Sequence, residues 1–338
     1  MSFKKNNSFQ PTEKLKYRQL TEFITQLVEE GGLSLNDRLP SVQTLANQLK
    51  MSRETIFKGL NILSEKGVIE SVYRKGYFLR KTNLNHQYRI FFMLDKLTAF
   101  KEQLYNSFTE NIRQFAEVDI YFHEHNYHLF EKLITQNLHN YTHFVITTFL
   151  REDVSYILNK IRPDRRIIVD YLETGLEGPY SCIYQDFENN IYNALSQALP
   201  LVHKYQHLNL VLPDYIYQGP LVKKGFLRFC DEHAFNHIIT KSVEEEQFRM
   251  KTLFITTNRY ETDDVNIIKM IHKKGWQLGK EVGLISYNDS LVKEVLEGGI
   301  TTISTDFVEM GRLAAAAILE NKIEKIATSC HLIIRKSL

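Results

Sequence analysis

The chain has 338 residues, about twice the size of a common protein domain, so we expect two or three compact units. Hydrophobic residues make up 43% and charged residues 24% of the sequence, and no apolar run approaches the roughly 18 to 20 residues that span a bilayer, which argues against a membrane protein. The N-terminal stretch contains charges but no apolar segment behind them, which argues against a secreted protein, and we expect a cytoplasmic location.

The net charge of +2 hides an asymmetry between two parts of the chain. Residues 1–81 hold 14 Lys and Arg against 8 Asp and Glu, whereas the remainder holds 28 against 32, so the two parts carry +6 and −4. A small basic module on a mildly acidic body is typical of a DNA-binding domain attached to a domain that does not bind DNA.

The first eighty residues predict a helix-turn-helix followed by a hairpin. Apolar residues at helical spacing, ending at a glycine pair, predict a first helix over residues 12–30. Ser41 and Ser52 can cap a second and a third helix, and two short capped helices joined by a tight turn form a helix-turn-helix. Two β-rich runs, 68–72 and 77–79, flank a basic tip and predict a wing.

Such a module places its third helix in the major groove of DNA, while helix N-termini and basic groups contact phosphates. We expect Arg53 to pair with guanine and Gln43 to contact a base or a phosphate, and we expect the wing tip to reach a minor groove. The other predicted DNA contacts lie on the caps, the third helix and the wing: Arg38, Ser41, Ser52, Thr55, Phe57, Lys58, Arg74, Lys75 and Gly76.

The run GGLSLNDRLPSVQTLANQLKMSRETIFKGLNILSEKGVIESVYRKGYFL resembles the winged-helix domain of GntR-type regulators. The resemblance covers roughly residues 12–80 and implies a transcription factor that binds double-stranded DNA. Two positions depart from the family, which has arginine at the position of Gln43 and often at that of Phe57. The operator therefore cannot be inferred by analogy, and a winged helix used only for protein contacts stays an alternative.

Residues 81–87 are polar without hydrophobic periodicity and predict a linker between a DNA-binding domain, 1–80, and an effector-binding domain, 88–338. Beyond the linker, strand and helix patterns alternate, which predicts an α/β fold with parallel sheets whose ligands bind beyond the carboxyl ends of the strands. Strands are predicted at 88–94, 118–122, 144–148, 167–170, 208–212, 253–256 and 282–286, and helices at 100–116, 127–139, 151–160 and 187–199.

The motifs of common α/β enzymes are missing from the sequence, which has no glycine-rich phosphate loop, no G-x-S-x-G elbow and no Walker motif. An enzyme acting on a small sugar-like substrate, with the winged helix as a DNA tether, stays an alternative. We expect no cofactor. We also expect no metal site. The three cysteines, Cys182, Cys230 and Cys330, are far apart and are interpreted as thiols packed in the interior. The three histidines, His123, His125 and His128, are interpreted as part of a polar surface turn.

The segment TLFITTNRYETDDVNIIKMIHKKGWQLGKEVGLISYNDSLVKEVLEGGITTISTDFVEMGRLAAAAILENKI, with a last strand in HLIIRKS, resembles the sugar-binding domain of LacI/GalR-type regulators. The resemblance extends over about residues 88–338. It implies a periplasmic-binding-protein-like domain of two doubly wound α/β lobes, joined by three crossover strands, that close around a monosaccharide or another small polar molecule. Lobe one would comprise about 88–186 and 304–323, and lobe two about 187–303 and 324–338.

The same resemblance implies a set of effector-binding residues. Phe100 would be a stacking platform for a sugar ring, with Lys101 beside it, and Lys223 would stand in for an arginine that the family often has before the glycine at Gly225. Carboxylates and amides suit hydroxyl groups, although such residues also cap helices and line loops. The polar residues implied are Asp170, Asp186, Asn258, Asn288 and Thr305.

Together these features predict a homodimeric transcriptional regulator of carbohydrate catabolism genes. We expect a small effector, most favourably a monosaccharide or sugar derivative, to close the two lobes and so to change the spacing of two winged helices on a palindromic operator. A sugar-binding protein without a role on DNA is a further alternative, but it normally needs export.

Overall fold

The computed structural model describes residues 16–29, 31–65, 67–80, 88–257 and 262–338. The chain divides into two compact units. Unit 1 extends to Tyr88 and includes Gln114–Ala116, and unit 2 comprises Arg89–Arg113 and Glu117–Leu338. The predicted linker at 81–87 and the start of the predicted first helix lie outside the described residues.

Unit 1 contains the three predicted helices and the predicted hairpin. The helices are α1 (Lys16–Glu29), α2 (Val42–Leu49) and α3 (Arg53–Glu65), and the antiparallel strands are β1 (Ile69–Val72) and β2 (Gly76–Leu79). Apolar residues from every element meet in one core, which includes Leu20, Ile24, Leu45, Ile56, Leu60, Ile69 and Leu79. Helix α3 approaches α1 closely at Gly59, where an added Cβ would lie 2.6 Å from Cδ2 of Leu20.

The first sheet of unit 2 has the strand order β13-β7-β6-β5-β3-β4. Helices α4 and α12 pack against each other on one face, and α5 and α6 pack on the other. The strands are β3 (Tyr88–Leu94), β4 (Ala116–Phe122), β5 (His143–Ile146), β6 (Arg166–Asp170), β7 (Ser181–Tyr184) and β13 (Lys325–Ala327). The helices are α4 (Ala99–Ile112), α5 (Tyr127–Asn137), α6 (Ser155–Leu158) and α12 (Phe307–Leu319).

The second sheet has the strand order β14-β12-β11-β10-β8-β9, in which β14 alone of the described strands runs antiparallel to its neighbour. Its strands are β8 (His207–Val211), β9 (Asn236–Thr240), β10 (Thr252–Thr256), β11 (Val282–Tyr287), β12 (Thr301–Thr305) and β14 (Cys330–Ile333). Its helices are α7 (Phe187–Gln197), α8 (Leu199–Val202), α9 (Gly219–Glu232), α10 (Thr262–Lys274) and α11 (Leu291–Val295).

The two sheets share one topology, which confirms the prediction of two doubly wound α/β lobes. In each, the chain places its second strand on one side of the first strand and its third strand on the other side. The order therefore reverses between β3 and β5 in lobe one and between β8 and β10 in lobe two. In open α/β sheets ligands bind in the crevice that opens at such a switch point, beyond the carboxyl ends of the strands.

The chain crosses between the lobes three times. It passes from β7 into α7, from β12 into α12, and from β13 into β14. Hydrogen bonds join neighbouring crossovers, since Thr328 donates its N–H to the carbonyl of Tyr184 at 2.8 Å and Asp306 donates to the carbonyl of Ser329 at 3.0 Å.

Two short stretches correct the lobe bounds expected from the sequence. Lys325–Ala327, expected in lobe two, pairs in parallel with β7 in the lobe-one sheet, and Thr305, expected in lobe one, ends a strand of the lobe-two sheet. A strand of three residues is too short to show a period-2 pattern, which explains why β13 was missed.

Two helices differ from the prediction by four residues at one end. The helix expected at 151–160 is reduced to Ser155–Leu158, and Asp153 accepts the N–H of Ser155, the first residue of this helix, at 2.8 Å. The helix expected at 100–116 ends at Ile112, and Ala116 begins an edge strand instead. In the described parts of the chain, no helix combines the length and apolar character needed to cross a membrane.

Candidate functional site

The predicted cap residues of unit 1 hold the ends of the two helices of the helix-turn-helix. The Ser41 hydroxyl accepts the N–H of Thr44 at 3.1 Å, and the Ser52 hydroxyl accepts the N–H of Thr55 at 3.2 Å. Between them Lys50 adopts a left-handed conformation, with φ of 53°, and ends α2. The caps orient two helix N-termini, which carry partial positive charge and can receive phosphates.

Helix α3 exposes the predicted base-reading residues in its first two turns. Arg53 and Phe57 are exposed, and Phe57 keeps 48% of its surface accessible. Lys58 forms an exposed ion pair with Glu54 at 3.0 Å, one turn apart on the helix. The hydroxyl of Thr55 bonds that of Ser52 at 2.8 Å, so Thr55 completes the cap.

The wing brings a second group of predicted residues to the surface. Arg74 stands at the tip with φ of 59° and stacks its guanidinium 5.1 Å above the ring of Tyr73, which is 82% exposed. Gly76 has φ of 102°, and an added Cβ would lie 3.2 Å from Nε of Arg38, so the turn before α2 packs against the wing. Lys75 is exposed beside Gly76. On α2, Gln43 donates to the side chain of Asn47 at 2.9 Å.

A buried charged cluster lies at the carboxyl edge of the lobe-one sheet, at the switch point. Lys101, from the first turn of α4, forms ion pairs with Asp95, which follows β3, and with Asp170, which ends β6. The distance from Lys101 Nζ to Asp170 Oδ2 is 2.9 Å. Asp95 is held at the switch point, because its N–H donates to the Thr147 hydroxyl after β5 at 2.8 Å.

Burial and opposite charge act against each other on Lys101. Burial alone lowers the pKa of a lysine, but the carboxylates of Asp170 and Asp95 outweigh it and raise the pKa of Lys101 above its usual value. All three side chains are at most 3% exposed. The ammonium of Lys101 is therefore held in its charged form inside lobe one, between two buried carboxyl groups.

Two uncharged side chains extend this cluster to lobe two. Gln185, in the crossover after β7, donates its amide N–H to Asp170 and accepts a hydrogen bond from the hydroxyl of Thr305 at the end of β12. The polar cluster is defined here as Asp95, Lys101, Asp170, Gln185 and Thr305. It forms a continuous path from the lobe-one switch point to a lobe-two strand.

Aromatic rings line the polar cluster on the side of lobe two. Lys101 Nζ lies 4.6 Å from the centre of the Phe149 ring, and Phe149 contacts Tyr171 at 5.6 Å and Tyr217 at 6.3 Å. Tyr217 belongs to the loop between β8 and α9 of lobe two. It also stacks on His125 of lobe one at 5.2 Å and an interplanar angle of 22°.

The His125 ring links the aromatic and charged groups. Because a carbonyl oxygen only accepts, the ring donates through Nδ1 to the carbonyl of Phe149 at 2.9 Å, and Nε2 faces Asp95 at 3.5 Å. His125 has φ of 56° and Asp170 has φ of 77°, both in the left-handed region. Non-glycine residues in this region cost free energy and concentrate at ligand sites.

The structure brings some of the expected effector residues together and separates others. Lys101, Asp170 and Thr305 belong to the polar cluster, whereas Asp186 caps α7 by accepting the N–H of Asn189 at 3.2 Å. Lys223 is exposed on α9, without a contact to the polar cluster within the described residues. Asn258 lies outside the described residues.

The remaining two residues stand at the ends of elements. Phe100 is half-buried and packs its ring against Phe307 at 5.0 Å. Asn288, after β11, has φ of 58° and a buried side-chain oxygen to which none of the described residues donates a hydrogen bond. Lys293 donates to the main-chain carbonyl of Asn288 at 2.9 Å and so fixes the end of β11.

The histidine run does not converge on one point. His123 is buried, His125 faces Asp95 and His128 is exposed, and the described residues contain no group of three side chains that could hold a metal ion. The cysteines are unpaired, and burial raises the pKa of the Cys182 and Cys230 thiols to about 12, which keeps both thiols protonated.

Sequence reasoning missed the residues that complete the polar cluster and its aromatic lining. The signal was present in the chain, since Asp95, His125 and Phe149 each lie within three residues of the end of a strand of the first sheet. Tyr217 carries no such signal, because it lies six positions after the last residue of β8 and only the tertiary structure places it on His125.

Comparisons with known proteins divide the chain in the same way. The family profile described as bacterial regulatory proteins, gntR family, matches residues 16–79, and the profile of the periplasmic binding protein-like domain matches residues 217–338. YydK of Bacillus subtilis, an uncharacterised HTH-type transcriptional regulator, is 37% identical over 90 residues, which are 27% of this chain and 36% of YydK. The chain thus matches only about a third of that relative's length.

Solved structures resemble unit 2. A LacI family transcriptional regulator from Silicibacter pomeroyi has a TM-score of 0.62 at 16% identity, over 74% of this chain and 98% of that one. The trehalose repressor from Escherichia coli has a TM-score of 0.61 at 13% identity, over 73% and 100% of the two chains. Residues 16–79 therefore match the gntR-family domain, residues 217–338 match the periplasmic binding protein-like domain, and unit 2 has the fold of LacI-family regulators.

Proposed function

We propose that this chain is a DNA-binding transcriptional regulator controlled by a small polar effector, with a monosaccharide or sugar derivative as the favoured class. The observation that carries the proposal is the polar cluster with its aromatic lining, at the switch point of a chain that also has a helix-turn-helix. Regulation of carbohydrate catabolism genes in the cytoplasm is part of the proposal.

The chemistry of a sugar fits this arrangement. Sugars present hydroxyl groups, which bond carboxylates, amides and ammonium groups, and they present apolar C–H faces, which pack on aromatic rings. Asp95, Asp170 and Lys101 supply the first kind of contact, and Phe149 and Tyr217 supply the second. The trehalose repressor, whose name states a sugar, has the same fold.

The winged helix supports the DNA-binding part of the proposal. Arg53 would read a guanine in the major groove, while Arg38, Lys58, Arg74 and Lys75 would contact phosphates. As a homodimer, the chain would present two such domains to a palindromic operator. Closure of the lobes around the effector would then change the spacing of the two winged helices. The coupling free energy would equal the difference between the free energies of effector binding to the DNA-competent and the DNA-incompetent states.

The test separates the two sites in the full-length chain. We expect Arg53→Ala to weaken binding to a selected operator by about 1 to 3 kcal/mol, because a bidentate contact to guanine is lost, and to leave the effector's thermal shift unchanged. Asp170→Asn should reduce the effector's thermal shift and leave operator binding unchanged. The variant should stay folded, since asparagine tolerates the left-handed backbone and Lys101 keeps Asp95 as its partner.

The measurements are a thermal-shift screen against monosaccharides and sugar phosphates, followed by fluorescence anisotropy with DNA. Asp231→Asn, an exposed carboxylate of α9, is the matched control and should change neither. Equal loss of both activities in either variant would contradict the separation of the sites. Turnover of a ligand that shifts the melting temperature would favour the enzyme alternative.

A further inference from the structure

Phe57 is a large apolar side chain left in water on the helix that is proposed to enter the major groove. Its ring is 48% exposed, while its neighbours Ile56 and Leu60 are fully buried in the core. None of the described aromatic rings packs against Phe57. Exposing a phenyl ring forgoes the stabilisation that burial would bring. Single exposed apolar residues are common on protein surfaces, so the role of Phe57 has to be argued from its place on α3.

The position of Phe57 on α3 restricts what this can be. Arg53 is the first residue of α3 and Phe57 follows four residues later, so the two side chains lie on one face of the helix, one turn apart. Ser52 caps this same end of the helix. The face that carries Phe57 is therefore the N-terminal face that a recognition helix turns to base edges.

The charges around Phe57 favour DNA over a protein partner. Arg53 and Lys58 flank it on α3, and the wing of the same domain exposes Arg74 and Lys75. In the major groove the C5 methyl of thymine is the apolar group that a base presents, and phenylalanine is among the side chains that contact it. The phenyl ring of Phe57 would contact the methyl group of thymine, while the basic residues around it would contact the phosphates of DNA.

Resting on the proposed DNA-binding function, we propose that Phe57 is a specificity-determining residue that reads the C5 methyl of one thymine in each operator half-site. Arg53 reads a neighbouring base pair from the same helix face. The operator therefore contains a thymine next to the guanine that Arg53 contacts.

Replacement of thymine by deoxyuridine tests this contact, because it removes the methyl group and leaves every hydrogen-bonding atom of the base pair in place. The operator is first selected from random duplex DNA with the full-length chain. Each thymine is then replaced in turn, and dissociation constants are measured by fluorescence anisotropy. We expect that replacement of one particular thymine in each half-site raises the dissociation constant by about fourfold. This ratio of dissociation constants is expected when one methyl-sized group loses its contact.

Variants assign the effect to Phe57. Phe57→Ala should bind the thymine and deoxyuridine duplexes equally, and Phe57→Leu should keep a preference for thymine. Leu35→Ala removes another exposed apolar side chain of the same unit, 54% accessible, and should keep the full fourfold ratio. Thermal unfolding of each variant checks that the domain is folded.

Three results would overturn the inference. The first is a selected operator without a thymine in its half-sites. The second is a dissociation constant of the unaltered chain that stays the same whichever thymine is replaced by deoxyuridine. A fourfold ratio that survives in Phe57→Ala would assign the methyl contact to another residue. Each of these leaves DNA binding itself intact, whereas failure to select any duplex would overturn the proposed function as well.

Discussion

The ammonium of Lys101 is buried between the carboxylates of Asp95 and Asp170, and their opposite charges offset the cost of burying it. Lys101, Asp95 and Asp170 are each at most 3% exposed, so none of them can exchange its partner for water. A buried ion pair is weak evidence for stability, because desolvation offsets much of the attraction, but removal of one partner leaves a charge that the interior cannot solvate. The stability of the fold therefore depends on all three charged side chains of the polar cluster being present.

Lys101→Met should lower the free energy of unfolding by about 3 to 5 kcal/mol near neutral pH, because two carboxylates are left unpaired in the interior. The loss should shrink as pH falls, since those carboxylates can take up protons and become neutral. Urea unfolding at several pH values measures this. Lys223→Met, which removes an exposed lysine, should stay within about 0.5 kcal/mol. A loss for Lys101→Met that is equal at acid and neutral pH would contradict the electrostatic explanation.

His123 makes the folded state sensitive to acid. Burial lowers the pKa of its ring to about 4 from an ordinary value of 6.5, so the folded state favours the neutral ring. A group with a depressed pKa of this kind stabilises the protein above pH 6.5, and that contribution is lost as pH falls towards 4. The shift corresponds to roughly 3 kcal/mol across this window.

His123→Leu should consequently flatten the dependence of stability on pH between about 6.5 and 4, while leaving stability at neutral pH close to that of the parent. Part of the slope should remain, because burial also lowers the pKa of His143 to about 4. Unfolding free energies across this range give the result. His128→Leu, an exposed histidine nearby, should keep the parent's slope, and a His123→Leu variant with that same slope would refute the assignment.

At the scale of elements, glycines decide how closely helices approach. Gly311 lies where α12 crosses α4, and an added Cβ would stand 2.4 Å from the carbonyl oxygen of Leu104 and 2.8 Å from the N of Phe108. Gly225 has the same role between α9 and α7, where the nearest atom, the carbonyl oxygen of Glu188, would be 2.1 Å away. In both lobes the helix pair covers the sheet because one helix has no side chain at the crossing.

Gly311→Ala should therefore destabilise the domain by about 1 to 3 kcal/mol, the range for overpacking a close contact, as measured by chemical denaturation. Gly219→Ala is the matched control. It stands at the first position of α9, where the nearest atom would be at an ordinary 3.6 Å, and should be neutral or stabilising by up to about 1 kcal/mol. Similar losses in both variants would indicate that backbone freedom, and not the helix crossing, determines the effect.

On the scale of unit 2 as a whole, the crossovers and their hydrogen bonds connect the two lobes. Gln185 lies in the first crossover, bonded to Asp170 of lobe one and to Thr305 at the end of a lobe-two strand. Its amide joins the polar cluster to the first crossover. A change in how Asp170 is bonded by an effector would reach the strand of lobe two through this side chain.

Gln185→Leu should reduce the change in operator affinity that the effector causes by at least fivefold, because the bond between the cluster and β12 is lost. Operator affinity without effector should be unchanged. Anisotropy titrations with and without effector determine both quantities. Gln206→Leu, an exposed glutamine before β8, should retain full coupling. Full coupling in Gln185→Leu would show that closure is transmitted through the other crossovers.

Sequence patterns predicted the features that depend on residues close together in the chain. The hydroxyl of Ser52 bonds the N–H three residues ahead, so cap, helix and turn could be predicted from a few consecutive letters, as could the alternation of strands and helices. The winged helix and the α/β class were predicted for this reason. The same local rule applies to Asp186, whose carboxylate caps the helix that it precedes, and its expected contact with an effector stays a prediction.

Only the tertiary structure decided which residues form the polar cluster. Lys101 meets Asp170 across 69 positions of the chain, and Thr305 meets Gln185 across 120. Such pairs depend on which strands become neighbours and on where the chain crosses between lobes, and a local pattern contains neither. The sequence determined the elements because their hydrogen bonds are local, whereas the site required the strand order that brings distant carboxyl ends to one edge.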